Sequence, residues 1–168
     1  MHKYTFLAIL GLLVFSCKND AKAPNTQQDA TEERPFELEN IGAFAINPNY
    51  FPGADSVVCI ALQNQEDLER YLSVPTLEDG TPIAQVDWSK SYVIVLVHPY
   101  VNNRTTVRVG RSYALGNAGV VDMEVISGEV IDRFIRPSAA YIAPRDPKIR
   151  VLDFRRMNQT LTKLSLEQ

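Results

Sequence analysis

Short apolar runs, separated by turn-forming residues, dominate the chain from about residue 36 onward. The strongest run, 91–97, is apolar on both alternating faces, so it predicts a central strand that is covered on both sides. The run 56–62 has the same character and predicts a second interior strand. Other short strands are predicted at 38–46, 105–109, 120–126, 139–143 and 149–154.

One helix interrupts this series of strands. Asn64 can cap it, acidic residues follow in its first turn, and Leu68 with Leu72 form an apolar stripe. One short helix among about seven strands predicts an α+β, β-rich fold. Because most connections are too short for crossovers, we expect a mainly antiparallel sheet or a small sandwich or barrel.

The first seventeen residues have the pattern of an export signal. A basic start at Lys3 is followed by an uncharged stretch, 4–15, which is shorter than the about 20 residues that a membrane-spanning helix needs. The sequence Val-Phe-Ser-Cys at 14–17 then resembles the lipobox of bacterial lipoproteins.

The lipobox resemblance implies that residues 1–16 are a signal peptide, removed after the thiol of Cys17 receives a diacylglyceryl group. Acyl chains at Cys17 would then hold the protein on a membrane. Lys18, in place of an Asp after the lipidated cysteine, implies attachment to the outer membrane within the cell envelope. The alternative is ordinary secretion after Ser16, with Cys17 as an unmodified thiol.

Residues 18–35 contain no Leu, Ile, Val or aromatic residue, so we expect 17–35 to be the lipidated cysteine and a flexible tether. A single β-rich globular domain is predicted at 36–157. Residues 158–168 are predicted to be a C-terminal tail or a frayed helix.

The composition leaves few residues for catalysis. The chain is 45% apolar and 22% charged, too apolar for a wholly disordered protein, and it has two Cys and two His. Without the signal peptide and the lipidated cysteine, only Cys59 and His98 remain, which is too few for a zinc site. We therefore expect no metal, no cofactor and no enzyme. The alternatives are a thiol enzyme using Cys59 and His98, or a small hydrolase-like enzyme using carboxylates such as Asp122 and Glu124.

Charge is unevenly distributed along the chain. Residues 17–89 hold 4 basic and 13 acidic side chains, whereas residues 90–168 hold 12 basic and 7 acidic ones. Two interpretations remain open: a basic face for an acidic partner, or arginines that pair with the acidic amino-terminal half, which we favour. A nucleic-acid partner is not expected, because the mature protein is acidic overall and shows no stacking-platform motif.

Two segments, 99–104 and 132–136, are expected to form loops or a sheet edge, and they carry residue types that are enriched at binding hot spots. The candidate binding residues are Tyr100, Arg104, Phe134 and Arg136, although simple packing would equally account for Tyr100 and Phe134. The leading hypothesis is a lipid-anchored, non-catalytic domain that binds a protein, peptide or other envelope partner. A purely structural assembly lipoprotein is the other alternative.

The order of predicted elements between Val57 and Phe154 resembles a known domain. A helix at 65–72, the segment Val-Asp-Trp-Ser-Lys at 86–90 entering a central strand, and then alternating strands are similar to the carboxyl-terminal domain of PrcB-type lipoproteins. These lipoproteins are protease-complex subunits. The resemblance implies a binding module and carries over no catalytic residues.

Overall fold

A computed structural model describes residues 32–51, 55–76, 78 and 84–166. The predicted signal peptide, the lipidation site Cys17 and most of the predicted tether lie outside these residues. Among the residues that are described, no helix has the length and hydropathy needed to cross a membrane.

The described chain is β-rich with one short α-helix, which confirms the predicted α+β class. The elements in chain order are β1 (Glu33–Pro35), β2 (Glu39–Asn40), β3 (Ala45–Ile46), a 3-10 helix (Pro48–Tyr50), β4 (Val58–Leu62), α1 (Gln65–Tyr71), β5 (Leu72–Ser73), β6 (Ser91–Val97), β7 (Val101–Leu115), β8 (Ala118–Ile135), β9 (Ser138–Pro144), β10 (Val151–Arg156) and β11 (Gln159–Ser165).

Strands β6 to β9 form one long antiparallel hairpin that is folded back on itself. β6 pairs with β9 along its whole length, and β7 pairs with β8 up to a turn at Gly116 and Asn117. The backbone N–H of His98 donates to the carbonyl of Pro137 at 2.8 Å and links the two paired halves. The hairpin therefore bends between β6 and β7 on one side and between β8 and β9 on the other.

The two halves of the hairpin belong to different sheets. The larger sheet has the order β1-β7-β8-β10-β11 and is antiparallel except for the β8–β10 pair, and the smaller has the antiparallel order β2-β9-β6-β4. A further short pair, β3-β5, stands apart from both. The two main sheets share one core, as the sandwich prediction requires. Representative members are Tyr92, Ile94, Leu96, Val121, Leu152 and Phe154.

The opposite face of β6 is also buried. Val93, Val95 and Val97 pack with Leu68 of α1 and with Phe51 in a second apolar cluster. β6 is thus covered by a sheet on one side and by helix and loops on the other. This arrangement confirms the prediction made from its two apolar faces.

The helix begins and ends where its sequence directs. The side chain of Asn64 accepts the backbone N–H of Asp67 at 2.8 Å and caps the first turn. Leu68 is buried, and the chain becomes extended at Leu72. Here the sequence pattern and the structure agree closely.

Both ends of the predicted domain need correction. The predicted tail forms β11, because Met157 and Asn158 adopt left-handed φ values of 51° and 64° and close a tight hairpin with β10. Leu164 then packs against the shared core. The predicted tether ends early as well: β1 pairs with β7, and Arg34 donates to the carbonyl of Gly116 at 3.2 Å.

Candidate functional site

The main candidate site lies where the long hairpin bends. We call it the hairpin corner and define it as residues 98–104 and 128–137. β1 covers the edge of β7 only at 113–115, and β10 covers the edge of β8 only at 118–123. Beyond those points β7 and β8 continue as a two-stranded ribbon. The structure therefore places Arg104 in β7 and Phe134 in β8, whereas Tyr100 lies just before β7 and Arg136 just after β8. The predicted segments thus lie partly on a sheet edge and partly in the short connections, which are the two kinds of surface that the sequence left open.

The register explains why the corner protrudes. Val101 pairs with Ile135 and Asn103 pairs with Val130, so four residues of β8 lie opposite one residue of β7. Near this bulge, β8 approaches β7 closely at Gly128. A Cβ atom at position 128 would lie 2.7 Å from the backbone oxygen of Arg104. Only glycine permits this close approach of the two strands.

Large apolar side chains at the corner face solvent. Val130 is 75% exposed, Phe134 is 73% exposed and Tyr100 is 50% exposed. Burying one such side chain against a partner contributes about 1.5–3 kcal/mol, which a free monomer would not gain. Exposed apolar groups on or directly beside a strand are typical of an interaction surface.

Arg136 connects the hairpin corner to the 3-10 segment through contacts with Tyr100 and Phe51. Its guanidinium lies over the ring of Tyr100 at 5.1 Å and over the ring of Phe51 at 5.9 Å, and its Nη1 donates to the carbonyl oxygen of Phe51. Two predicted binding residues, Tyr100 and Arg136, are therefore brought together. Arg136 holds the corner against the 3-10 segment and positions Tyr100, while Phe134 and Tyr100 remain open to a partner.

The arginines of β7 and β10 find partners mostly within the carboxyl-terminal half. The expectation that they pair with the acidic amino-terminal half is wrong for three of the four pairs below, because cross-strand and same-strand neighbours are closer. Most of these pairs are exposed and contribute little stability. The pairs are Arg104–Glu129 (3.2 Å), Arg108–Glu124 (2.8 Å), Arg155–Asp153 (2.7 Å) and Arg111–Glu33.

The residues of the enzyme alternatives each have other contacts in the structure. The Cys59 thiol is buried, lies 3.9 Å from the sulfur of Met123, and has its pKa raised to about 12 by burial. His98 instead places its Nδ1 3.1 Å from the carbonyl oxygen of Pro99. Glu124 is bound by Arg108, so it is not a free base beside Asp122. Within the described ranges, no three metal-ligating side chains form a cluster.

Sequence reasoning missed part of the corner. Val130, its most exposed apolar residue, and Gly128, which shapes the bulge, were not among the predicted binding residues. The available signal was the run Gly-Glu-Val-Ile-Asp-Arg-Phe-Ile at 128–135, in which large apolar residues do not alternate regularly with polar ones. Such a run predicts a strand with an interruption.

Comparison with protein-family models, with curated proteins and with solved structures finds no match to this chain. The class that the fold itself defines is a small β-rich α+β domain. The resemblances to lipobox signals and to PrcB-type lipoproteins stay predictions from the sequence.

Proposed function

We propose that the protein is a membrane-anchored envelope lipoprotein that acts as a non-catalytic binding module, with the hairpin corner as its binding surface. The exposure of Val130 and Phe134 on paired strands carries this proposal. The membrane anchor rests on the sequence at 14–17, with Cys17 as the lipidated residue.

The partner we propose is an extended segment of another envelope protein. β10 pairs with β8 in parallel and ends where Arg156 meets Met123, which leaves the outer edge of β8 without a strand from residue 124 onward in the described chain. An incoming strand would pair with this edge through its backbone. Its apolar side chains would contact Ile126, Val130 and Phe134, which β8 exposes.

The charged side chains around the exposed apolar residues favour a specific binding surface over a non-specific apolar one. Arg104 and Glu129 form an exposed pair at 3.2 Å, and Asp132 with Arg133 lies beside Phe134 on the exposed part of β8. An apolar centre with charges of both signs around it is the usual composition of a protein-binding patch. A uniformly anionic partner is not favoured by this arrangement.

Site-specific photo-crosslinking in the native host tests the proposal. A photoreactive phenylalanine analogue replaces Phe134 in one strain and Leu161 in another, since Leu161 is an apolar β11 residue that is 44% exposed. We expect an adduct with one envelope protein from position 134 and none from position 161. The variants V130D and F134D should abolish capture of that protein, while L161D should retain it.

Several outcomes would contradict the proposal. Equal adducts from positions 134 and 161 would show that the corner has no special role, and unchanged capture by V130D and F134D would show the same. An adduct between two copies of the chain would favour the assembly alternative instead. Release of the protein from membranes by Cys17→Ala tests the anchor separately.

A further inference from the structure

A second site lies at the end of the molecule far from the hairpin corner, where β6 begins, β9 ends and the hairpin turn returns. A cavity of about 190 Å³ opens there, and we call it the tip cavity. Its lining includes Gln63, Tyr92, Arg145, Asp146, Ile149 and Leu166.

Tyr92 supplies a buried polar atom to this cavity. The side chain is only 2% exposed, and its hydroxyl has no hydrogen-bond partner among the residues that the structure describes. Burial raises the pKa of the phenol, while the charge of Arg145 acts to lower it and that of Asp146 to raise it, so the oxygen lies near both charges. The hydroxyl therefore stays protonated and is able to donate a hydrogen bond to a ligand.

Arg145 is held rigidly beside this hydroxyl. Its Nε lies 3.0 Å from the carbonyl oxygens of both Trp88 and Ser91, and its Nη2 donates to the carbonyl oxygen of Gln63 at 3.0 Å. None of these hydrogen bonds uses Nη1. The fixed guanidinium thus has donor capacity left at the rim of the cavity, without the cost of ordering a flexible side chain.

The remaining lining decides which ligand charge is favoured. Asp146 accepts from Arg34 at 3.2 Å and from the backbone N–H of Lys148 at 2.8 Å, so its charge is already matched. The charge of Arg145 has no such acidic partner among its contacts. Ile149 and Leu166 supply an apolar wall.

We propose that the tip cavity binds a small monocarboxylate with an apolar body. The carboxylate accepts hydrogen bonds from the Tyr92 hydroxyl and from Nη1 of Arg145, and the body packs against Ile149 and Leu166. An engineered protein cavity of about 150 Å³ holds a benzene molecule, so a six-carbon acid is of suitable size. This site is independent of the proposed function of the hairpin corner.

Three probes on the purified full-length protein test the chemistry: hexanoate, the neutral hexan-1-ol, and acetate, which lacks the apolar body. Saturation-transfer NMR and the fluorescence of Trp88, the single tryptophan, report binding, with detergent alone as the blank. We expect saturable binding of hexanoate and at least tenfold weaker binding of the other two. Hexan-1-ol binding as tightly as hexanoate, or no saturation by hexanoate, would overturn the proposal.

Matched variants locate the site. Tyr92→Phe should weaken hexanoate about tenfold, because it removes a hydrogen bond to a charged group. Tyr141→Phe is the control, since Tyr141 is also buried in the core but its hydroxyl already accepts the N–H of Val109. Unchanged affinity in the Tyr92 variant would refute the assignment. F134D should leave hexanoate binding intact whether or not the corner binds a protein.

Discussion

Two buried tyrosines on adjacent strands should respond differently to the same substitution. Tyr92 in β6 and Tyr141 in β9 both belong to the core between the sheets. The hydroxyl of Tyr141 accepts a hydrogen bond from the backbone N–H of Val109 at 2.9 Å, whereas the hydroxyl of Tyr92 has no protein partner within the described part of the chain. Replacing each by Phe removes one oxygen and little else.

The magnitudes follow from the cost of an unpaired buried polar group, which is about 1–3 kcal/mol. Tyr92→Phe removes a hydroxyl that faces the tip cavity, which is polar and large enough to hold water, so we expect the free energy of unfolding to stay the same or to rise by up to about 1 kcal/mol. Tyr141→Phe leaves the N–H of Val109 unpaired, so we expect a fall of about 1–2 kcal/mol. For a domain of this size, each kcal/mol shifts the melting temperature by about 4 °C.

Urea unfolding followed by the fluorescence of Trp88 measures both changes in the absence of added carboxylates. The slope of the transition should be the same in all three proteins, because the substitutions do not change the surface exposed on unfolding. Destabilisation by Tyr92→Phe would refute the reasoning, since the hydroxyl would then have a stabilising partner. A neutral Tyr141→Phe would show that its bond to Val109 contributes nothing.

Two further predictions concern stability and thiol reactivity. Arg155→Ala should lower the free energy of unfolding by about 2–3 kcal/mol in urea titrations. The reason is that Asp153 is 3% exposed and accepts hydrogen bonds from Nε and Nη2 of Arg155 at 2.9 and 2.7 Å. The loss should be far smaller in an Asp153→Asn background, and equal losses in the two backgrounds would refute a coupled pair. Cys59 should resist iodoacetamide at pH 8 and react only after denaturation, because burial raises its pKa to about 12. Rapid labelling of Cys59 in the folded protein, detected by mass spectrometry, would contradict this expectation.

The sequence was most informative where local pattern and burial coincide. β6 was identified with its bounds because both of its faces are apolar, and α1 because its cap, its charges and its apolar stripe agree. The longest strands, β7 and β8, are predicted from the sequence only in part, at 105–109 and 120–126. Beyond Val125, which still packs against the shared core, nearly all of β8 is exposed, so no regular alternation marks the strand there.

Other features depend on contacts between residues far apart in the chain. β1 forms only because β7 offers an edge and Gly116 offers a carbonyl to Arg34. The tip cavity brings together residues from four parts of the chain, separated by as many as 103 positions between Gln63 and Leu166. Neither arrangement has a local signature, because the partner of each group is set by how the hairpin folds back.

The folded hairpin also determines how the two proposed sites relate. Five residues of β6, 93–97, lie between Tyr92 at the tip cavity and His98 at the corner, and the six steps span about 20 Å in an extended strand. This connection is the best-buried strand of the molecule, with core on both faces, so it has no second arrangement to adopt at low cost. A ligand couples two sites only by favouring one of two states. We therefore expect the tip cavity and the hairpin corner to bind independently, each prearranged by the same rigid strand.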